Sequence, residues 1–189
     1  MNSIMPLLSR LVIAAAMITT GWVNCFSLVG VSSEQAIQLE ALELQVKTDE
    51  ETGVQTTRGL HKIVLILHNQ WPQLGSWGKL LAWSAAIFEL LAGILVLVGL
   101  FTRLSAFVLC NIMGVALYLV SHKLNGMFEM NPFHWPLHQV AFSQLFTEMC
   151  LLVLALGIVV GGGGSFSIDR YQLGRSEEYK LSQEKKGDD

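Results

Sequence analysis

Four long apolar runs separated by polar stretches dominate the chain: Leu7 to Val31, Leu80 to Phe101, Leu104 to Val120 and Phe142 to Val160. At a rise of ~1.5 Å per residue, each is long enough as a helix to cross ~30 Å of hydrocarbon. The pattern predicts an all-α membrane protein, a four-transmembrane-helix bundle over residues 1–168 followed by a charged tail over 169–189. Arg10 interrupts the first run and is expected to snorkel to the interface on its long side chain. That run is too long for the core of a secretory leader and has Trp22 and Asn24 where cleavage needs small residues, so it reads as a span. Only Thr102 and Arg103 separate the second and third runs, which demands a tight helical hairpin. The glycines from Gly161 to Gly164 end the fourth, because their backbone is too free to hold a helix.

The connections carry their own pattern. Residues 32–58 hold Glu34, Glu40, Glu43, Asp49, Glu50 and Glu51, and read as a solvated acidic insertion from which Ser33 to Thr57 can be deleted without loss of the fold. Residues 59–70 place Leu60, Ile63, Val64 and Leu67 on one helical stripe, too short to span. They predict a short interfacial helix that lies in the membrane surface or dips back into the bundle. Trp71, Trp77 and Trp83 in one connection, with Phe128, Phe133 and Trp135 in another, fit an interfacial aromatic belt.

Composition narrows the class. Hydrophobic residues make up 52% of the 189 and charged ones 14%, with a mean hydropathy of +0.48, which suits a bilayer protein rather than an ordinary soluble domain. A net charge of -3 without a basic patch excludes nucleic acid as a partner and leaves membrane lipid as the first one. Cys25, Cys110 and Cys150 show no paired ligand spacing and read as small buried residues, with a thiol relay as the rival. An even number of spans puts both termini on one side. Arg10, Arg103 and the basic residues of the tail outnumber the Lys and Arg of the other side, so the termini are expected in the cytoplasm.

Polar groups inside the apolar runs are the candidate chemistry. An acid at the centre of a membrane helix costs ~2.5–3.5 kcal/mol, so Glu89 and Glu148 each need a reason. Glu89 stands fourteen residues before Arg103, and Glu148 fourteen before Gly162, which places both at one depth. Counting the same distance from Arg10 and Arg103 reaches Asn24 and the neighbourhood of Tyr118. Asn24, Glu89, Tyr118 and Glu148 are therefore the candidate ligand-binding or proton-handling residues, expected in one hydrogen-bonded layer with at least one carboxyl neutral. Two readings of that layer stand open: a site for a quinone carbonyl or a proton, or a polar clamp that fixes helix register. His134 and His138 share an i, i+4 spacing broken by Pro136 and lack a third ligand, so no metal site is expected. Gly93, Gly99, Gly114 and Gly157, with Ala82, Ala86 and Ala155, read as positions of close helix approach.

The stretch AWSAAIFELLAGILVLVGLFTRLSAFVLCNIMGVALYL, Ala82 to Leu119, resembles the second and third helices of the DoxX family of small bacterial membrane proteins. The glutamate followed by glycine, the Gly-Leu-Phe-Thr-Arg turn at Gly99 to Arg103, Gly21-Trp22, and Gly164 to Asp169 carry the resemblance. The chain departs from it at Asn24, where relatives often have lysine, and in the 32–58 insertion. The resemblance implies a multi-pass protein of the bacterial inner (plasma) membrane, and the residues themselves show no redox cofactor site, which favours an accessory role. It implies an accessory, non-catalytic subunit among the partners of a quinone-linked redox complex, with quinone as the molecule to be met and a homo-oligomer as a further option. A carrier or binding protein for a small apolar molecule, and a structural assembly factor, are the alternatives.

Overall fold

The structure is a computed structural model that describes residues 4–50, 53–164 and 167–171. Helix α1 runs Ile4–Phe26, α4 Ser76–Val98, α5 Thr102–Ala116 with a π-helical continuation Leu117–Leu124, and α6 Gln139–Gly161. These four are long and apolar enough to cross a membrane. They form a ring in which α1 packs on α4, α4 on α5, α5 on α6 and α6 on α1. The residues facing out of the ring, such as Leu8, Val12, Leu91, Val153 and Leu156, are large and apolar, as lipid contact requires. The chain is thus the four-helix membrane bundle expected.

Small residues set the spacing of α1 against α4. A Cβ on Gly21 would come within 2.8 Å of the Leu90 backbone nitrogen, and one on Gly93 within 3.0 Å of Met17 Cβ. Ala82, Ala86 and Ala155 are fully buried, as expected of packing positions. Gly114 and Gly157 have nothing within 4 Å of where a Cβ would stand, so they do not serve close packing.

Between α1 and α4 the chain builds a cap. Strand β1 (Leu28–Gly30) and strand β2 (Lys47–Thr48) flank β3 (Gln55–Arg58) in an antiparallel sheet, with Leu28 opposite Arg58 and Lys47 opposite Thr56. The apolar residues 28 to 31 therefore belong to a strand and the turn after it rather than to the first span, which ends at Phe26. Helix α2 (Ser33–Ala41) opens on a capping box: the Ser32 hydroxyl accepts from the Gln35 N–H, and the Gln35 side chain accepts from the Ser32 N–H. Leu39 and Thr57 are fully buried. The 32–58 insertion is thus a small folded layer and not a solvated loop, because capping, strand pairing and a few buried side chains outweigh its acidic composition.

Helix α3 (Gly59–Gln70) carries the apolar stripe onto the bundle. Leu60, Val64 and Leu67 join Cys25, Ala82, Ala86 and Leu119 in one core. Gly59 makes this approach feasible, since a Cβ there would lie 2.9 Å from Asn24 Cα. A second core, with Ile13, Val96, Leu109, Cys110 and Ile158, fills the opposite end of the bundle. Cys25 and Cys110 are buried as expected, whereas Cys150 is exposed on α6.

That opposite end is locked by charge. Arg10 is only 2% exposed and does not snorkel. Its Nε donates to Val96 O at 2.8 Å, Nη2 to Leu97 O at 2.7 Å and Nη1 to Gly163 O at 3.1 Å. A cation thus satisfies the orphan carbonyls at the C-terminal end of α4, where the helix dipole favours it. Gly99 turns with φ +80°, and a Cβ there would meet Arg10 Nη2 at 2.4 Å. Asp169 closes the far side. Its carboxylate accepts from the Phe101 and Thr102 N–H groups at 2.7 and 2.8 Å and from the Thr102 hydroxyl at 2.7 Å. Burial pushes the Asp169 carboxyl up, but those three donors and the Arg10 charge outweigh it and hold the group below its usual range. Most of the charged tail, residues 172–189, lies outside the described residues.

Candidate functional site

Between the two cores the helices part around a cavity of ≈ 1000 Å³. Met17 and Met113 bound it toward the Arg10 end, and Ile63, Ile66, Leu67 and Trp71 bring α3 and the turn after it over the cap end. Its wall is predominantly apolar, and Glu89 and Glu148 both line it. Low exposure, 6% for Glu89 and 8% for Glu148, means that protein and not bulk water must satisfy each carboxyl.

Each acid has one hydroxyl and one amide donor. On the α1–α4 side, Glu89 Oε1 accepts a short hydrogen bond from the Thr20 hydroxyl, and Oε2 accepts from Asn24 Nδ2 at 3.1 Å. Thr20 and Asn24 are four apart and so share a face of α1. On the α5–α6 side, Glu148 Oε2 accepts from the Ser121 hydroxyl at 2.6 Å, and Oε1 from Gln144 Nε2 at 3.1 Å. Gln144 lies one turn before Glu148 on the same helix. No hydrogen bond joins Glu89 to Glu148 among the described residues. The expected single layer is therefore two matched polar stations that share one cavity.

Asn24 is where the sequence placed it, against Glu89. Tyr118 is not with the acids. It is 44% exposed, stacks on Trp71 with centroids 6.2 Å apart and lies 5.5 Å from His122. The count along the chain fixed its depth and not its facing: five residues after the buried Met113, Tyr118 is turned ~140° away from the inward face of the helix. Ser121 takes the inward position instead. Thr20, Ser121 and Gln144 are the donors at the candidate site that sequence reasoning missed. A spacing signal existed for two of them, since Thr20 and Gln144 stand four residues before Asn24 and Glu148.

His134 and His138 fall in and beside a 3-10 turn at Pro132–Leu137. No group of three or more metal-ligating side chains occurs among the described residues. His61 is buried under the cap, where its Nδ1 lies 2.6 Å from the Thr57 hydroxyl, which in turn donates to Gln45 O at 2.8 Å. Burial and the nearby Arg58 charge push the His61 pKa down, against a hydrogen bond to Gln45 that raises it.

The carboxyls, with their neutral donors on an apolar wall, suit a molecule that is mainly hydrocarbon and carries hydrogen-bonding oxygens. They can accept from a hydroxyl, donate to a carbonyl when protonated, or pass a proton between those states. Among known families, a model described as DoxX matches residues 5–122, more than half of the chain. No curated protein and no solved structure gives a significant match.

Proposed function

The chain belongs to the DoxX family, and from that premise we propose that it is a non-catalytic membrane subunit that holds a small, largely apolar molecule of the quinone class for a membrane redox system. The observation that supports this most is the bundle cavity, apolar over most of its wall and supplied with one buried carboxyl on each side. An acid that served packing alone would meet its donors within a closed interface. Glu89 and Glu148 instead keep their donors beside an open volume, where a ligand oxygen can join them. The protein's part is to bind and orient; any electron transfer belongs to the quinone and to the partner that reduces or oxidises it.

In this reading both termini lie in the cytoplasm and the cap faces the other side of a bacterial inner membrane. The arginine-rich Arg10 and Arg103 end supports that orientation. A purely structural reading is favoured by the hydrogen bonds that tie Glu89 to α1 and Glu148 to the continuation of α5, and by the Arg10 and Asp169 lock at the other end of the bundle.

The test is calorimetric titration of the purified protein in lipid nanodiscs with a decyl benzoquinone, against empty nanodiscs. Saturable binding is expected at one site per chain, weakened at least about tenfold, or ~1.4 kcal/mol, in both Glu89→Leu and Glu148→Leu. Partition indistinguishable from empty nanodiscs would reject the reading.

A further inference from the structure

The two flanks of the cavity differ in chemistry. Where α4 faces α5, the exposed wall residues are Leu81 and Phe88 on one helix and Phe107, Asn111 and Val115 on the other. Where α1 faces α6, they are Thr19, Thr20, Val23 and Thr147. The hydroxyls of Thr19 and Thr147 are spent on carbonyls of their own helices, so that flank offers no strong polar port. The α4–α5 flank is mostly apolar, and its two polar side chains are turned back on their own helices: the Ser84 hydroxyl donates to Leu81 O at 2.9 Å and the Asn111 amide to Phe107 O at 2.7 Å.

This slot exists because of how the hairpin is made. The two helices are held together at the Gly99–Phe101 turn, where Gly99 takes φ +80° and Phe101 φ +48°. Away from the turn they part around the cavity. Phe88 and Asn111 stand at one level, about ten residues and so ~15 Å from the turn, and Ala85 and Val115 stand one turn further out. Met17 and Met113 below, and α3 above, leave the sides of the cavity as its way into the hydrocarbon. An apolar slot at that depth is not a stable place for water, and a compact solute held at the carboxyls would leave it unfilled.

We propose that the ligand is a two-part lipid, with its polar ring held between Glu89 and Glu148 and its hydrocarbon chain leaving through the α4–α5 slot past Phe88 and Phe107 into the bilayer. The proposal rests on the reading of the cavity as a ligand site and adds the chain and its exit. It makes the ligand a molecule loaded sideways from the membrane rather than from either aqueous phase. The chain gains little from transfer out of one hydrocarbon medium into another, so the slot acts by admitting it and not by attracting it.

The experiment compares two probes, 2,3-dimethoxy-5-methyl-1,4-benzoquinone and its n-decyl homologue, on the full-length protein in nanodiscs. Ala85→Phe narrows the slot from α4, Val115→Phe narrows it from α5, and Ile87→Phe adds the same bulk on the lipid face of α4 away from the cavity. Both slot variants are expected to weaken the decyl homologue about tenfold or more while changing the chainless ring by less than about threefold, and Ile87→Phe to change neither. Use of both walls guards against one variant that fails to fold. Equal loss of both probes would overturn the proposal, since the slot would then be part of the ring site or occupied by a bulk lipid chain. No loss of the decyl homologue in either variant would also overturn it. Failure of the unaltered protein to bind either probe would reject the ligand reading itself, a result distinct from the other two.

Discussion

Replacing Asp169 by asparagine isolates the lock at the Arg10 end of the bundle. The carboxylate is the acceptor for two N–H groups and one hydroxyl at the start of α5 and neighbours the buried Arg10. Loss of a capping acceptor costs ~0.5–2 kcal/mol, and loss of a negative charge at a helix N-terminus ~0.3–1 kcal/mol. The neutral amide keeps one oxygen to accept with, and solvent screens part of the charge. The net cost of Asp169→Asn is therefore expected near ~1–2 kcal/mol, a factor of roughly 5–30 in the folded-to-unfolded ratio. Asp169→Ala, which removes every acceptor, should cost more. Because the folded pKa is depressed, the carboxylate's stabilisation is fully present above the unfolded value near 4 and is lost as pH falls through the folded one. Equilibrium unfolding of the detergent-solubilised protein in mixed SDS micelles between pH 3 and 7 measures both effects. The variant should be weaker at pH 7 and should lose part of the acid dependence. Equal stability at pH 7 together with an unchanged acid slope would refute the account of the lock.

Other outcomes follow from the same contacts. Gly21→Val should cost several kcal/mol and separate α1 from α4, since even a Cβ comes within 2.8 Å of Leu90 N; proteolysis of the solubilised variant reports it, and a wild-type pattern would contradict it. Deleting Ser33 to Thr57 should loosen α3, because the deleted segment supplies Leu39 and Thr57 to the packing beneath the cap; faster amide exchange over Gly59–Gln70 is the readout, and unchanged exchange would show the cap dispensable. The depressed His61 pKa means that cap stability is full above the unfolded value near 6.5 and falls as pH drops below it, so amide protection factors in the cap, corrected for the intrinsic rate at each pH, should be lower at pH 5 than at pH 7.5 in the wild type and change less in His61→Gln.

The spans were legible because hydropathy and length alone demand them, and Glu89, Glu148 and Asn24 because a polar group inside an apolar run is conspicuous. What escaped was whatever depended on partners remote in sequence. Arg10 looked like a snorkelling residue until the carbonyls of Val96, Leu97 and Gly163 converged on it. Tyr118 was placed by a count of depth, which does not fix the facing of a side chain, and the wider turn of the π-helical stretch from Leu117 brought Ser121 inward instead. The cap hid behind its acidic composition, although the Ser32 to Gln35 spacing was a visible helix-start signal. Thr20 and Ser121 carry no charge to draw attention in a helix, yet each supplies a hydroxyl to a buried acid.

The claim that most needs a direct measurement is that the space between Glu89 and Glu148 is a ligand site. Native mass spectrometry of the protein extracted into polymer-bounded native nanodiscs, without added detergent, weighs what it carries from the membrane. The account predicts one quinone-class lipid per chain in the wild type, lost from Glu89→Leu and Glu148→Leu while the bundle stays folded, and kept at reduced occupancy in the glutamine variants. A wild-type protein that carries only bulk phospholipid, or leucine variants that keep the bound molecule at full occupancy, would contradict it.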